Sequence, residues 1–313
     1  MRANLASAEM GHGRAERARS APRRRVLDLL EARTMAVFFA AMAVLPLDLA
    51  SAAGGAIARL IGPRLAVTRR ALRNLALVLP HLSDAERRRV IRDMWDNLGR
   101  IAAEYPHLAR LNCFAPGTRV EVVGMQHIDR AVALGRPLIF FSGHFGNWEV
   151  ASVVIRQYGV ELVQVYRGAN NPDLEATMRQ LRRSLGVEPV RKGAAGARRI
   201  IGALRQGRNL ALLVDQKMND GIAVPFFGRE AMTAPAMAEL ALRYDCSILP
   251  MRVDRLHGAR FRFTIFPALD LARSGDRRAD VHAVMTEVNR RLEQWIRERP
   301  GQWFWLHRRW PES

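Results

Sequence analysis

Short apolar runs alternate with stretches of helically spaced apolar residues from residue 120 onward. The runs bounded by turn-forming residues predict strands over residues 120–123, 138–141, 160–166, 209–214, 247–253 and 260–266. The helically spaced stretches predict helices over residues 125–134, 173–185, 194–205, 235–244 and 280–297. Strands that alternate with helices in this way favour an α/β fold, in which a mixed, largely parallel sheet is flanked by helices.

The chain ahead of residue 110 carries a candidate membrane anchor. An uncharged run over residues 34–47 follows three arginines at 23–25, and it is broken by Pro46 and Asp48. A helix needs about 20 apolar residues to cross a bilayer, so this shorter run predicts a segment that lies in the membrane surface. Farther along, Ser83 and Glu86 have the spacing of a capping box and predict the start of another helix.

These patterns predict three segments. Residues 1–22 are polar and arginine-rich, as in a disordered basic tail, residues 23–110 form an N-terminal helical, membrane-anchoring segment, and residues 111–313 form an α/β domain. A secretory signal peptide is the alternative, because Ala50-Ser51-Ala52 resembles a cleavage site after an apolar run. The long basic leader and the arginine-containing amphipathic stretch over 56–79 favour an anchor on the cytoplasmic face.

The formal net charge is +19, and all of the 49 basic residues except Lys192 and Lys217 are arginines. Such a surface attracts phosphate groups, whether they belong to nucleic acid or to anionic lipid. The basic residues are spread over the whole chain and no nucleic-acid-binding motif is present, which argues against a nucleic-acid partner. The two cysteines, Cys113 and Cys246, lie far apart without zinc-ligand spacing, so neither a disulfide framework nor a metal site is predicted.

The turn after the predicted strand at 138–141 carries candidate chemistry. His144 lies just beyond this strand, and Glu149 follows five residues later at the start of a predicted helix. Five residues of regular helix turn the chain by about 500°, so the two side chains can meet only if His144 precedes the helix. A carboxylate bound to one imidazole nitrogen fixes the tautomer and leaves the other nitrogen free to take a proton. A lone histidine at a strand end is, however, more often only a satisfied polar residue.

Two further strand ends carry polar residues. Arg167 follows the strand at 160–166, while Asp215 and Gln216 follow the strand at 209–214. Ligands of α/β proteins collect at such strand ends. A surface arginine and a turn-capping acid are the alternative interpretations of these residues.

Several blocks in register resemble one enzyme family. The blocks are Gly-His-Phe-Gly-Asn-Trp-Glu at 143–149, Val-Tyr-Arg at 165–167, Asp-Gln at 215–216, Val-Pro-Phe-Phe-Gly at 224–228 and the aromatic tail at 302–310. The first contains a His-x4-Glu motif, which resembles that of the lysophospholipid acyltransferase superfamily. Together the blocks resemble its lipid A biosynthesis lauroyl/myristoyl acyltransferase branch, over about residues 23–310.

The resemblance implies an O-acyltransferase at the inner (cytoplasmic) membrane, monotopic, with its active site facing the cytoplasm. It implies that His144 is the general base and that Glu149 holds the imidazole, with Arg167, Asp215, Asn147 and Gln216 as substrate-binding residues. The implied partners are acyl carrier protein as thioester donor, a phosphorylated glycolipid acceptor such as a lipid A precursor, and the membrane surface. Neither a metal nor an organic cofactor is implied.

Alternatives to this function stay open. The Phe-Pro-Glu-Gly-Thr-Arg block of glycerol-3-phosphate and lysophosphatidate acyltransferases is absent, which argues against a glycerol-phosphate acceptor. The Gly-Asn-Trp-Glu sequence also occurs in mannoside acyltransferases, so a mannosyl-phosphoinositide or a lysolipid is an alternative acceptor. A basic nucleic-acid- or membrane-binding protein without catalysis is the alternative from another class.

The aromatic tail also allows two interpretations. Its residues Trp303, Phe304, Trp305 and Trp310 suit a membrane-interface belt, but packing against the core is the more common use of such side chains. His307, within the tail, is a possible second base. No carboxylate lies at a comparable spacing from it, which favours a structural role.

Overall fold

The computed structural model of the protein describes residues 25–271 and 273–311. Its helices are residues 25–44 (α1), Leu47–Ile61 (α2), Thr68–Val78 (α3), Asp84–Glu104 (α4), Gln126–Ala133 (α5), Glu149–Gln157 (α6), Pro172–Ser184 (α7), Ala194–Arg205 (α8), Ala236–Tyr244 (α9) and Arg277–Glu298 (α10). Its strands are Val120–Val123 (β1), Leu138–Ser142 (β2), Leu162–Tyr166 (β3), Glu188–Arg191 (β4), Asn209–Leu213 (β5), Lys217–Phe226 (β6), Arg229–Thr233 (β7), Ser247–His257 (β8) and Arg260–Ile265 (β9).

Seven strands form one sheet in the order β1-β9-β8-β2-β5-β3-β4. Every neighbouring pair is parallel except β8 and β9, which pair antiparallel. All five residues of β2 and all five of β3 are buried, as expected of strands covered on both faces. The predicted α/β fold with a mixed, largely parallel sheet is therefore confirmed.

Two features of the sheet differ from the sequence prediction. Strand β4 has only four residues and includes Pro189, so its apolar signal is too short to recognise. Strands β6 and β7 form a separate antiparallel pair, and several residues of β6 are exposed. A hairpin that is buried only in part lacks the continuous apolar run by which the other strands were predicted.

The N-terminal helices α2 and α4 pack against each other by close backbone contact. A Cβ atom at Gly54 in α2 would overlap the backbone of Gly99 in α4, so only small residues permit this approach. The predicted capping box is present, since the Ser83 hydroxyl accepts from the Glu86 backbone N–H. Ala50 and Ser51, from the alternative cleavage site, are buried inside α2.

No helix among residues 25–271 and 273–311 is both long enough and apolar enough to cross a membrane. The predicted disordered tail, residues 1–22, lies outside the described residues. The division into an anchoring segment at 23–110 and an α/β domain at 111–313 stays a prediction.

The C-terminal segment packs into the interior, as the second interpretation of the aromatic tail expected. The three tryptophans Trp303, Trp305 and Trp310 are each at most 3% exposed. The segment also closes the turn after β2, because the Phe304 N–H donates to the His144 carbonyl and the Gly146 N–H donates to the Gln302 carbonyl. The aromatic tail therefore holds the turn that carries His144.

Candidate active site

The candidate site lies where the central parallel strands end. Strands β2 and β5 are paired, with Ser142 opposite Leu213, and each strand continues for two residues to a polar side chain. These two side chains are His144 and Asp215. Because the carboxyl ends of parallel strands meet at one sheet edge, residues that are 71 positions apart in sequence become neighbours.

His144 is held by Asp215, where the sequence predicted Glu149. The His144 Nδ1 atom lies 2.7 Å from Asp215 Oδ1, and the His144 backbone N–H donates to Asp215 Oδ2 over 2.7 Å. This contact assigns the proton to Nδ1, because an ionised carboxylate only accepts. The other nitrogen, Nε2, keeps its lone pair and lies 3.4 Å from the Gln216 amide nitrogen. The imidazole is thus in the tautomer that a general base needs.

Asp215 is fully buried and has three donors around its carboxylate. The third donor is the Trp303 indole N–H, 2.8 Å from Oδ2. Burial alone would raise the pKa of Asp215, but attraction to the His144 ring when that ring is protonated, together with the hydrogen bonds from His144, outweighs burial and holds this pKa well below its usual range. The resulting contribution to stability is complete above the unfolded pKa of about 3.9 and is lost as the pH falls below it. Asp215 therefore stays ionised at neutral pH.

Glu149 forms a different ion pair at the start of α6. Its carboxylate oxygens accept from Arg182 Nη2 at 3.1 Å and from Gln164 Nε2 at 3.2 Å. The Arg182 guanidinium lies 4.6 Å from the centre of the Tyr166 ring, and Tyr166 directly precedes Arg167. The motif carboxylate therefore links α6 to α7 and to the end of β3, and the expected bond from Glu149 to His144 is corrected to one from Asp215.

We expect the substitution Glu149→Ala to destabilise the protein by about 3 kcal/mol, at the lower end of the range for breaking a buried ion pair. Arg182 would lose its counter-charge while its side chain is only 14% exposed. Glu149→Gln should cost less, because the amide oxygen still accepts a hydrogen bond from Arg182. Denaturant titrations measure both free energies of unfolding, and wild-type stability of Glu149→Ala would contradict the ion-pair assignment.

Asn147 and Gln216, the other predicted substrate-binding residues, differ in their placement. The Asn147 side chain is fully buried, and its Nδ2 atom donates to Glu104 Oε2 over 2.8 Å. Glu104 is itself bound by Arg255 and Ser51, so Asn147 belongs to a polar network that fastens the motif turn to α4 and α2. Gln216, in contrast, lies beside His144 and lines the same cavity.

A cavity of about 380 Å³ opens beside His144. Its wall is mainly apolar and includes Met35, Phe39, Leu98, Ile101, Met178 and Met251. This volume corresponds to roughly a dozen water-sized groups, since water occupies about 30 Å³. The cavity therefore has room for part of an apolar chain beside His144.

Arg167 and Lys192 also line this cavity. Both side chains are exposed, and they follow the neighbouring strands β3 and β4. The sequence pointed to Arg167 but missed Lys192, because β4 itself was not recognised. The signal in the sequence that could have pointed to Lys192 is that the chain has only two lysines.

His307 completes the immediate surroundings of His144. The centres of the two rings lie 4.8 Å apart in an edge-to-face arrangement. Desolvation, together with a smaller effect of the neighbouring His144, lowers the pKa of His307 to about 3, so the His307 ring is neutral at physiological pH. His144, Asp215 and His307 offer ligand atoms within 4.8 Å of one another, although the first two already bond to each other.

Residues 19–312 match a family model described as bacterial lipid A biosynthesis acyltransferase. A "Lipid A biosynthesis acyltransferase" of Haemophilus influenzae is 22% identical over 241 residues, which cover 76% of this chain and 73% of that protein. A "Lipid A biosynthesis lauroyltransferase" of Escherichia coli is 28% identical over 249 residues, 76% of each chain.

A related group of enzymes has a different acceptor in its name. A "Phosphatidylinositol mannoside acyltransferase" of Mycobacterium tuberculosis is 28% identical over 191 residues. The aligned region covers 60% of this chain and 58% of that protein. The likeness thus spans enzymes named for more than one glycolipid.

Proposed function

The chain belongs to the family of bacterial lipid A biosynthesis acyltransferases and is an acyltransferase, and from this premise we propose that it acylates a hydroxyl of a phosphorylated glycolipid. The acceptor that we propose is a lipid A precursor. The acyl chain comes from a thioester carried by acyl carrier protein. The site residues proposed are His144, Asp215, Gln216 and Arg167, with Glu149 acting through its ion pair with Arg182.

One observation carries the proposal: His144 lines a mainly apolar cavity, and Asp215 holds its Nδ1 atom so that Nε2 is the nitrogen that can accept a proton. A base beside a mainly apolar cavity suits a reaction between a hydroxyl and the thioester of a fatty chain. Since Nε2 already lies near the Gln216 amide, a bound hydroxyl would displace that weak 3.4 Å contact.

The chemical steps follow from this arrangement. His144 Nε2 takes the proton of the acceptor hydroxyl as its oxygen attacks the thioester carbonyl carbon. The new C–O bond gives a tetrahedral intermediate, which collapses with cleavage of the C–S bond. The leaving thiolate then receives the proton from Nε2. The Asp215 carboxylate stabilises the imidazolium in between, and no acyl-enzyme is formed.

The in vivo test compares lipid A from cells with and without the gene by mass spectrometry. The proposal predicts loss of one acyl chain from lipid A when the gene is deleted, and its return on complementation with the wild-type gene. Unchanged lipid A in the deletion strain would contradict the proposed acceptor.

Acylation of a mannosyl-phosphoinositide is the second candidate activity, favoured by the 28% identity to a phosphatidylinositol mannoside acyltransferase. Both candidates use a hydroxyl of a phosphorylated glycolipid. Parallel assays with the two acceptors and one thioester donor distinguish them by product mass.

We expect that Arg167→Lys fails to restore what Arg167→Ala loses. Arginine offers a planar fork of donors that matches an oxyanion or phosphate, whereas lysine is a point charge. Loss of a ground-state phosphate contact should raise KM, and loss of support for developing charge should lower kcat. Steady-state kinetics measure both, and full activity of Arg167→Ala would remove this residue from the site.

For the location, we propose that the protein is monotopic at the inner membrane, with its active site facing the cytoplasm. Exposed apolar side chains on the first two helices support this proposal, and they include Val26, Leu27, Val37, Val44, Leu49, Ile57, Leu60 and Ile61. Arginines such as Arg59 and Arg64 lie nearby in sequence and suit anionic lipid.

We expect the triple substitution Ile57→Ser, Leu60→Ser and Ile61→Ser to weaken binding to anionic liposomes while the protein stays folded. All three side chains are about half exposed or more, so their replacement leaves the interior intact. Deleting the whole segment is a poorer test because α2 packs against α4. Liposome flotation measures the effect, and unchanged flotation would contradict this membrane surface.

A further inference from the structure

Two cations, Arg167 and Lys192, follow the paired strands β3 and β4 and line the cavity. The strands are paired in register with Tyr166 opposite Arg191, and the Lys192 backbone N–H donates to the Tyr166 carbonyl over 2.8 Å. The ladder therefore fixes Arg167 and Lys192 at the same level of two adjacent strands. Both line the cavity that contains His144.

Neither cation forms a salt bridge or side-chain hydrogen bond with the part of the chain that the structure describes. Many other arginines do have acidic partners, as Arg182, Arg252 and Arg255 show. The carboxylate that affects Lys192 electrostatically is that of Asp215, whose oxygens already accept from His144 and Trp303. Two unpaired like charges thus face one cleft.

The positive charge of Arg167 affects the pKa of Lys192. Desolvation lowers the pKa of Lys192, Asp215 opposes this effect, and Arg167 lowers the pKa again. A bound anion between the two cations would relieve their repulsion. An anion with several acceptor oxygens can bond both donors at once.

We propose that Arg167 and Lys192 together form a phosphate-binding site that fixes the substrate beside His144. This inference rests on the proposed function and adds Lys192 and the chemical class of the group bound there. The phosphate has two possible sources: the acceptor glycolipid or the phosphodiester of the donor's prosthetic arm. Lys192 is a substrate-binding residue, so its loss affects binding more than the chemical step.

The adjacent Arg191 provides a matched control. Its side chain packs over Gly168, where a Cβ would overlap the guanidine, and it does not line the cavity. Lys192→Gln and Arg191→Gln each remove one positive charge from neighbouring exposed positions. A general effect of net charge would appear equally in both variants.

Steady-state kinetics with the full-length protein in mixed micelles test the inference. For Lys192→Gln, we expect KM for the phosphorylated acceptor to rise about tenfold with little change in kcat, as for one lost contact to a charged group. Arg191→Gln should behave as wild type, and the acceptor without phosphate should show no difference among the proteins. If KM rises instead for the carrier-bound thioester but not for a simple pantetheine thioester, the phosphate belongs to the donor. Equal effects of the two variants, or equal effects on both acceptors and both donors, would overturn the site.

A binding assay separates failure of this inference from failure of the proposed function. Vesicles that contain the phosphorylated glycolipid, or its dephosphorylated form, are titrated with His144→Ala protein in the absence of any acyl donor, so that no transfer takes place. We expect tighter binding to the phosphorylated form, and we expect Lys192→Gln in this background, but not Arg191→Gln, to abolish the difference. Equal binding of both glycolipids, together with an unchanged KM for the carrier-bound thioester in Lys192→Gln, would overturn the phosphate site even if acyl transfer is observed.

Discussion

The substitution His144→Ala is expected to lower kcat for acyl transfer by about 10²- to 10⁴-fold, the usual contribution of a general base. The imidazole is positioned by Asp215 at 2.7 Å, and its second nitrogen faces the cavity. Removing the ring takes away the acceptor for the hydroxyl proton, while KM should change little because the cavity wall remains.

The fold should survive this change, since His144 lies in a turn and its backbone contacts to Asp215 and Phe304 do not need the ring. His282→Ala is the matched control, because His282 is exposed on α10 and distant in sequence from the motif. Thermal unfolding and steady-state kinetics are measured on both variants. Wild-type turnover by folded His144→Ala would eliminate the proposed mechanism.

The second large effect is expected for Asp215→Asn, with kcat lowered by about 10²-fold or more. The amide keeps the size of the side chain but cannot stabilise the imidazolium by charge. It can also donate to Nδ1, which would place the ring proton on Nε2 and block that nitrogen as a base. The Trp303 indole can still donate to the amide oxygen, so the packing should be preserved.

Asp245→Asn is the control for the Asp215 variant. Asp245 is an exposed carboxylate that pairs with Arg136 and Arg273, and its left-handed backbone conformation is one that asparagine tolerates. The measurement is kcat at pH values between 6 and 9. If Asp215→Asn retains wild-type kcat while Glu149→Gln does not, the roles assigned to the two carboxylates are wrong.

The sequence predicted most of the fold because the central strands are continuous apolar runs. Strands β2 and β3 are buried on both faces, and burial of this kind leaves a direct signal in composition. Strand β4 leaves little signal in the sequence, because it has only four residues and one of them is a proline. It joins the sheet by pairing with β3. The β6–β7 hairpin, which is buried only in part, also leaves a weak apolar pattern in the sequence.

The sequence predicted most residues of the candidate site, but it did not predict which of them bond to one another. The His-x4-Glu spacing suggested a local pair, yet the partner of His144 is 71 residues away and the partner of Glu149 is 33 residues away. Such contacts depend on strand order, and local spacing does not encode strand order. Asp215 was recognised as a polar strand end, but its position beside His144 required the pairing of β2 with β5.

The central claim is direct transfer of an acyl chain from a thioester to a glycolipid hydroxyl by way of His144. Its most direct test is a single-turnover reaction of the purified protein with a carrier-bound acyl thioester and a phosphorylated lipid A precursor, with both protein and lipid followed by mass spectrometry. The account predicts that the acyl mass moves to the lipid at the rate of thioester loss, with none on the protein at any time. Thioester consumption without acylated lipid, or an acyl mass that first accumulates on the protein, would contradict it.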